Sequence, residues 1–178
     1  MQQRPNEIEI IPYLEINGCR TLTDVQMGEI YDKMQENGYI ERIFFNGYPK
    51  TKNEFLMFAK NPLNSVFVAM ENKKIVLITW INEIVGKRGT IGFCSFPDKF
   101  ARKKIIAARK ILSLIFSFLS VVIALIPDPY EDVKKFVRLL GFKNLGTIPN
   151  ASYFISEKKE VGTNVQYITK GMMEAQNE

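Results

Sequence analysis

The chain has 178 residues, 46% of them apolar and 24% charged, with a formal net charge of +5. That is the composition of a single folded domain of ordinary size, not of a disordered chain. It has no histidine and only two cysteines, Cys19 and Cys94, which excludes a Ser-His or Cys-His nucleophile, a histidine base, a closed zinc site and a disulfide framework.

Both cysteines read as buried thiols in a reducing compartment, the cytoplasm. The opening MQQRPNEIEI has no apolar core of the length a signal peptide needs. Ile8–Ile16 follows as a strand, which Pro12 confines to an edge or breaks. Thr21-Leu-Thr-Asp24 resembles a capping box opening a helix. Val25, Met27, Ile30, Tyr31 and Met34 recur at helical spacing along it, and Asn37-Gly38 ends it. Thr51–Lys60 reads as a second short helix, stopped by Asn61-Pro62.

Ser65–Met70, Lys74–Ile84 and Thr90–Phe96 are β-branched runs separated by turn residues, so they predict an antiparallel meander. A long helix is expected over Phe100–Phe118, with Ile105, Ala108, Leu112, Ile115 and Leu119 on one face. Ser120–Ile126 is the next strand. The apolar run Ile111–Ile126 is shorter than the ~20 residues of a spanning helix; it reads as a buried helix end followed by a buried strand. Asp128 is the expected N-cap, with Pro129 at N1, of a helix Pro129–Leu140 that Gly141 ends. Thr147–Ser156 and Thr163–Thr169 complete a terminal hairpin, and the tail GMMEAQNE is expected to be loose.

The predicted fold class is therefore α+β (mixed α/β), in one domain over residues 1–178. Its order, β, α, α, β, β, β, α, β, α, β, β, implies one parallel pair inside a mostly antiparallel sheet flanked by helices.

The charge is local. Lys99, Arg102, Lys103, Lys104, Arg109 and Lys110 fall within twelve residues that hold no acid, and the remainder of the chain nets −1. An exposed cation at a helix start opposes the dipole by roughly 0.3–1 kcal/mol. The cluster is either a solvated face or the seat of an anionic partner.

Two stretches resemble the Gcn5-related N-acetyltransferase (GNAT) superfamily. Pro127–Gly146, PDPYEDVKKFVRLLGFKNLG, is similar to its strand–helix–Gly-Phe segment, the pair here being Gly141-Phe142. The stretch from Phe96-Pro97 into Arg102-Lys103-Lys104-Ile105-Ile106-Ala107 is the nearest match to its strand, R/Q-x-x-G-x-G/A loop and helix, with Ile105 standing where the family has a glycine. The element order resembles the family's as well. The resemblance implies a GNAT-like fold and acetyl-CoA as co-substrate. Residues 102–107 would hold its diphosphate, and the backbone of Cys94, Ser95 and Phe96 its thioester carbonyl. The family's acid, a tyrosine four residues before the Gly-Phe glycine, falls here on Val137. Tyr130, where the family often has an asparagine, is the candidate acid, and Glu83 the candidate base.

The implied activity is acetyl transfer from acetyl-CoA to an unknown amine by direct attack. The alternative is a catalytically inactive GNAT-fold structural or binding protein. That reading resembles degenerate phage virion and DNA-ejection proteins, with other virion proteins as partners and the virion as its location. A nucleic-acid module using the basic helix ranks third, because only Phe100 offers a ring among the cations; a membrane-associated protein using Ile111–Ile126 ranks fourth.

Overall fold

The computed structural model describes residues 7–97 and 101–175, apart from the side chain of residue 101. The chain runs β1 (Ile8–Tyr13), a small hairpin of β2 (Glu15–Ile16) and β3 (Cys19–Arg20), α1 (Asp24–Glu36), α2 (Ile40–Ile43) and α3 (Lys52–Lys60). It continues with β4 (Ser65–Glu71), β5 (Lys74–Val85), β6 (Arg88–Ser95), α4 (Ala101–Ile115) and β7 (Val121–Pro127). It ends with α5 (Glu131–Leu139), β8 (Lys143–Phe154), β9 (Lys159–Thr169) and α6 (Lys170–Glu174).

Seven strands form one sheet in the order β1-β4-β5-β6-β7-β9-β8. Every ladder is antiparallel except β6–β7. The predicted fold class, with its single parallel pair, is the observed one.

Alternation along the strands divides the core between the two faces of the sheet. On one face Val66, Val68, Ile78, Trp80 and Cys94 pack under α1 and α3. On the other, Ala69, Leu77, Ile81, Val122, Ala124 and Ile168 pack under α4 and α5. Ile111, Leu112 and Ile115 of α4 are essentially inaccessible, and each contributes roughly 1.5–3 kcal/mol by burial. The apolar run Ile111–Ile126 is thus the buried end of α4, a turn and β7. No helix among the described residues is long and apolar enough to cross a membrane.

Several local expectations are corrected. The capping box of α1 is Thr23 with Gln26, not Thr21 with Asp24; the Thr21 hydroxyl is drawn instead to the Pro12 carbonyl, at 2.6 Å. Val25 points to solvent while Met27, Ile30, Tyr31 and Met34 are buried. Cys19 is exposed, at the β2–β3 turn, and only Cys94 is buried. β1 ends at Tyr13 and lies at the sheet edge, where Pro12 requires no ladder partner on its outer side. The tail is not wholly loose: Thr169 caps α6 and Met173 is buried. Lys99 and Phe100, included in the expected long helix and basic cluster, lie outside the described residues.

Candidate active site

β6 and β7 pair over only three positions, Arg88↔Val121, Gly89↔Val122 and Thr90↔Ile123. Beyond Thr90 the strands part. β6 stays bonded to β5 as far as Leu77↔Ser95, and β7 to β9 as far as Pro127↔Thr163. Each therefore presents a free backbone edge to a wedge-shaped cleft, a place where main-chain donors and acceptors are available to a ligand.

A cavity of about 110 Å³ occupies this wedge, lined among others by Gly92, Phe93, Ala124, Ile126, Tyr130 and Arg42. Deeper, toward α4 and α5, Phe93 and Phe136 meet at 4.9 Å between ring centroids. They leave only about 10 Å³ of free space beside Leu112 and Val137.

Tyr130 stands at the mouth of the wedge. It is the N-cap position of α5, which begins at Glu131 rather than Pro129, and it makes no side-chain cap. The expected cap, Asp128, is diverted: its N–H donates to the Gly162 carbonyl at 2.7 Å and its carboxylate accepts from Lys134 at 2.8 Å. Lys134 also donates to Glu131 at 2.8 Å. Burial by itself would pull the Lys134 ammonium down, but the two carboxylates outweigh it and hold its pKa above the ordinary range.

The Tyr130 ring is stacked on Phe154 at 5.5 Å, meets Phe45 edge-on at 6.5 Å, and has the Arg42 guanidinium 4.8 Å from its centroid. Arg42 is in turn paired with Asp132. Burial raises the Tyr130 hydroxyl above its ordinary value of 10.0, opposed by the positive charge of Arg42, so it holds its proton at neutral pH.

α5 ends well: Gly141 takes φ +97° just beyond it, and the Gly141 and Phe142 N–H groups return to the Arg138 and Val137 carbonyls, the double bond of a Schellman motif. This places Val137, fully buried, on the core side of α5. No hydroxyl is available there.

The basic cluster is only partly free for an anion. Lys103 pairs with Glu71 of β4 at 2.6 Å. Lys110 donates to the Ile8 carbonyl at 2.9 Å, and Arg109 to the Leu139 carbonyl at the end of α5 at 3.4 Å. Arg102 is exposed and Lys104 half-buried at the helix start. Ile105 packs at the core margin, Ile106 is exposed, and Ala107 is completely buried beneath the helix. At the end of β6, Cys94 and Phe96 are buried in the α1/α3 core, and Ser95 is half-buried between them. Burial pushes the Cys94 thiol up to about 12, against a weaker pull from Lys104.

Glu83 lies at the other end of β5, in the bulge between Asn82 and Val85. Its φ is +50°, and its carboxylate accepts from the Thr90 hydroxyl at 2.8 Å. Thr90 belongs to the closed part of the β6–β7 pair. Of the predicted site residues Tyr130 lines the wedge cavity, whereas Glu83, Cys94, Ser95 and Phe96 are not among the residues that line it; β6 contributes Ile91, Gly92 and Phe93.

A second, larger cavity of about 550 Å³ lies between α1, α2 and the β8–β9 turn, bounded by Tyr31, Glu41, Phe44, Lys50 and Ile155. Phe45 lines both cavities. Sequence reasoning passed over α2 and the segment after it, although the pair Phe44-Phe45 directly before Asn46-Gly47 signals a buried aromatic anchor entering a turn.

The same arrangement of sheet and helices is found in solved structures. The chain superposes on the spermidine N-acetyltransferase of Vibrio cholerae in complex with CoA and spermine with a TM-score of 0.71 at 12% identity, covering 93% of this chain and 97% of that one. It superposes on RimL, a ribosomal alpha-N-protein acetyltransferase in complex with coenzyme A, with a TM-score of 0.72 at 8% identity, covering 91% and 93%. For MccE, a microcin self-immunity acetyltransferase in complex with acetyl-CoA and AMP, the TM-score is 0.68 at 12% identity, covering 83% and 88%. No family model matches the sequence, and no curated protein matches it. The fold is that of the Gcn5-related N-acetyltransferases.

Proposed function

We infer that the chain is an acetyl-CoA-dependent N-acetyltransferase acting on an amine. The observation that carries this reading is the wedge between β6 and β7, with free strand edges on both sides and a protonated tyrosine at its mouth. Structural neighbours that hold CoA or acetyl-CoA support it.

Arg102, Lys104 and the first amides of α4 would hold the diphosphate, where the helix dipole and the cations attract the same anion. This answers the cost of placing cations there only in part, since Lys103 is already balanced by Glu71. Ile105 in place of a glycine keeps a side chain beside that backbone, so the seat relies more on Arg102 and Lys104 than a glycine loop would.

In the reaction the amine lone pair attacks the thioester carbonyl carbon, the carbon–sulfur bond breaks, and the amide forms. An acceptor that arrives as an ammonium first gives one proton to water to free that lone pair. The departing sulfur takes its proton from the Tyr130 hydroxyl, and the nitrogen releases its second proton to water. Tyr130 is then restored from solvent. Rate enhancement comes mainly from positioning, because Glu83 stands by the closed end of the strand pair.

Purified protein given acetyl-CoA and a panel of primary amines should release free CoA thiol. Tyr130→Phe should lower kcat about 10²-fold, the usual worth of a placed general acid, with little change in KM. An unchanged kcat would remove Tyr130 from the chemistry.

One observation favours a second reading, a GNAT-fold protein without turnover: the Phe93–Phe136 contact fills the deep part of the wedge. The structural neighbours lend no support to a virion role. Absence of acetyl-CoA binding at millimolar concentration would favour the inactive form.

A further inference from the structure

The 550 Å³ cavity is of a size that takes a small molecule. We propose that it is the acceptor pocket, and that it selects a primary amine carried on an apolar, ring-sized body over a polyamine. This rests on the acyltransferase reading of the adjoining wedge.

The wall is aromatic and fixed in place. Tyr31 and Phe44 are buried, and Phe45 is half-buried between the two cavities. The Tyr31 hydroxyl donates to the Lys50 carbonyl, and the Ile155 N–H donates to the Phe45 carbonyl at 3.1 Å. Gly47, at φ +84°, lets the Ile155 and Lys50 side chains close over the loop; a Cβ there would collide with Ile155. Such a wall offers aromatic surface to an apolar group without first having to be ordered.

Its charge is sparse. Of the residues lining it only Glu41 and Lys50 are of a charged type. One carboxylate can hold one ammonium, and aromatic side chains line the same cavity. The further ammonium groups of a polyamine would find no second carboxylate, only Lys50, the neutral Gln35 and Ser156, and an apolar wall, and losing water without a charged partner is costly for a cation. The spermidine N-acetyltransferase superposed above shares the fold and holds spermine; the pocket here has the wrong charge for that ligand.

Position completes the argument. Glu41 and Arg42 are consecutive on α2, and one lines the cavity while the other lines the wedge. Phe45 lines both cavities, so an amine whose apolar body lies against Phe44, Phe45 and Ile155 borders the wedge.

The test is binding to the whole chain without acetyl-CoA, by calorimetry and protein-observed NMR, using 2-phenylethylamine, spermidine and 3-phenylpropionate. The expected result is 2-phenylethylamine binding that shifts resonances of Ile40, Phe45 and Ile155, with spermidine and the acid each weaker by about tenfold or more. Glu41→Gln should weaken the amine by about tenfold, the worth of one charge-assisted hydrogen bond, while the exposed position of Glu41 leaves the melting temperature unchanged. Equal or tighter binding of spermidine or of the acid would overturn the proposal, as would an unaltered affinity in Glu41→Gln. Amine binding with no affinity for acetyl-CoA would refute the acyltransferase reading and leave the pocket's preference intact. Acetylation of spermidine in preference to 2-phenylethylamine would do the reverse.

Discussion

Gly92→Ala should unsettle the wall of the wedge without touching any charged group. Gly92 sits in β6 opposite Trp80 of β5, and the indole occupies the space a side chain would need. A methyl group there would come inside 3.0 Å of Trp80 Cε2, Nε1 and Cζ2. Trp80 cannot simply step aside, because it is stacked on Phe44 at 5.5 Å and meets Phe58 edge-on at 5.7 Å. Overpacking of a filled core costs about 1–3 kcal/mol, offset by the roughly 0.5–1 kcal/mol that alanine gains over glycine in a strand. The net loss is at most about 2.5 kcal/mol, which for a chain of this length lowers the melting temperature by at most ~5–10 °C. Trp80 is the only tryptophan, so its emission should shift to the red in the same variant. Gly171→Ala is the control, since a methyl group there meets nothing within 4 Å. Thermal unfolding followed by circular dichroism and by fluorescence makes the comparison. A Gly92→Ala melting temperature and emission equal to those of the parent protein would refute the packing argument.

Cys19 should react quickly with a thiol reagent in the folded protein, and Cys94, buried at 3% exposure with its thiol pushed up to about 12, only after unfolding; two fast thiols would contradict this. The same burial has a pH consequence. The unfolded thiol ionises near 9 and the folded one near 12, so the unfolded state holds fewer protons between those values and stability falls as pH rises through them, by ~4 kcal/mol in all. Tyr13, Tyr31 and Tyr130 are raised in the same sense, so the test is the difference between the parent and Cys94→Ala, in which that part of the fall should vanish. Phe136→Ala should open the deep wedge: it costs about 2–3 kcal/mol in stability and tightens acetyl-CoA binding, whereas weaker binding would mean that the Phe93–Phe136 pair supports the ligand rather than obstructing it.

The elements that sequence reading placed well are those whose signals are local. Turn residues at Glu71-Asn72-Lys73 bound the β4–β5 hairpin, where Asn72 and Lys73 adopt φ +48° and +64°. The α4–β7 boundary follows from helical spacing giving way to a β-branched run. The glycine after α5 is the left-handed residue its motif demands.

What escaped the sequence depends on partners distant in the chain. The Lys103–Glu71, Lys110–Ile8 and Arg109–Leu139 contacts span 32, 102 and 30 residues, so a run of cations that looks like an anion seat is partly a set of structural ties. Asp128 has the identity of an N-cap, yet Lys134 and the Gly162 carbonyl compete for it. Glu83 is, by sequence, the carboxylate nearest the expected cleft, but the β5 bulge holds it at Thr90 instead. The larger cavity depends on α2, four residues long, too short to announce itself by periodicity.

The decisive measurement is acetyl-CoA binding by titration calorimetry, comparing the parent chain with Arg102→Glu/Lys104→Glu. These two side chains lie at the helix start, and Lys103 is left in its pair with Glu71. Micromolar binding by the parent, weakened at least tenfold by the double substitution while the melting temperature holds, is the predicted result, since two charge-assisted contacts to a diphosphate are lost and reversed. Binding that ignores the substitutions, or no binding at millimolar acetyl-CoA, would contradict the placement of an acyl donor at the start of α4.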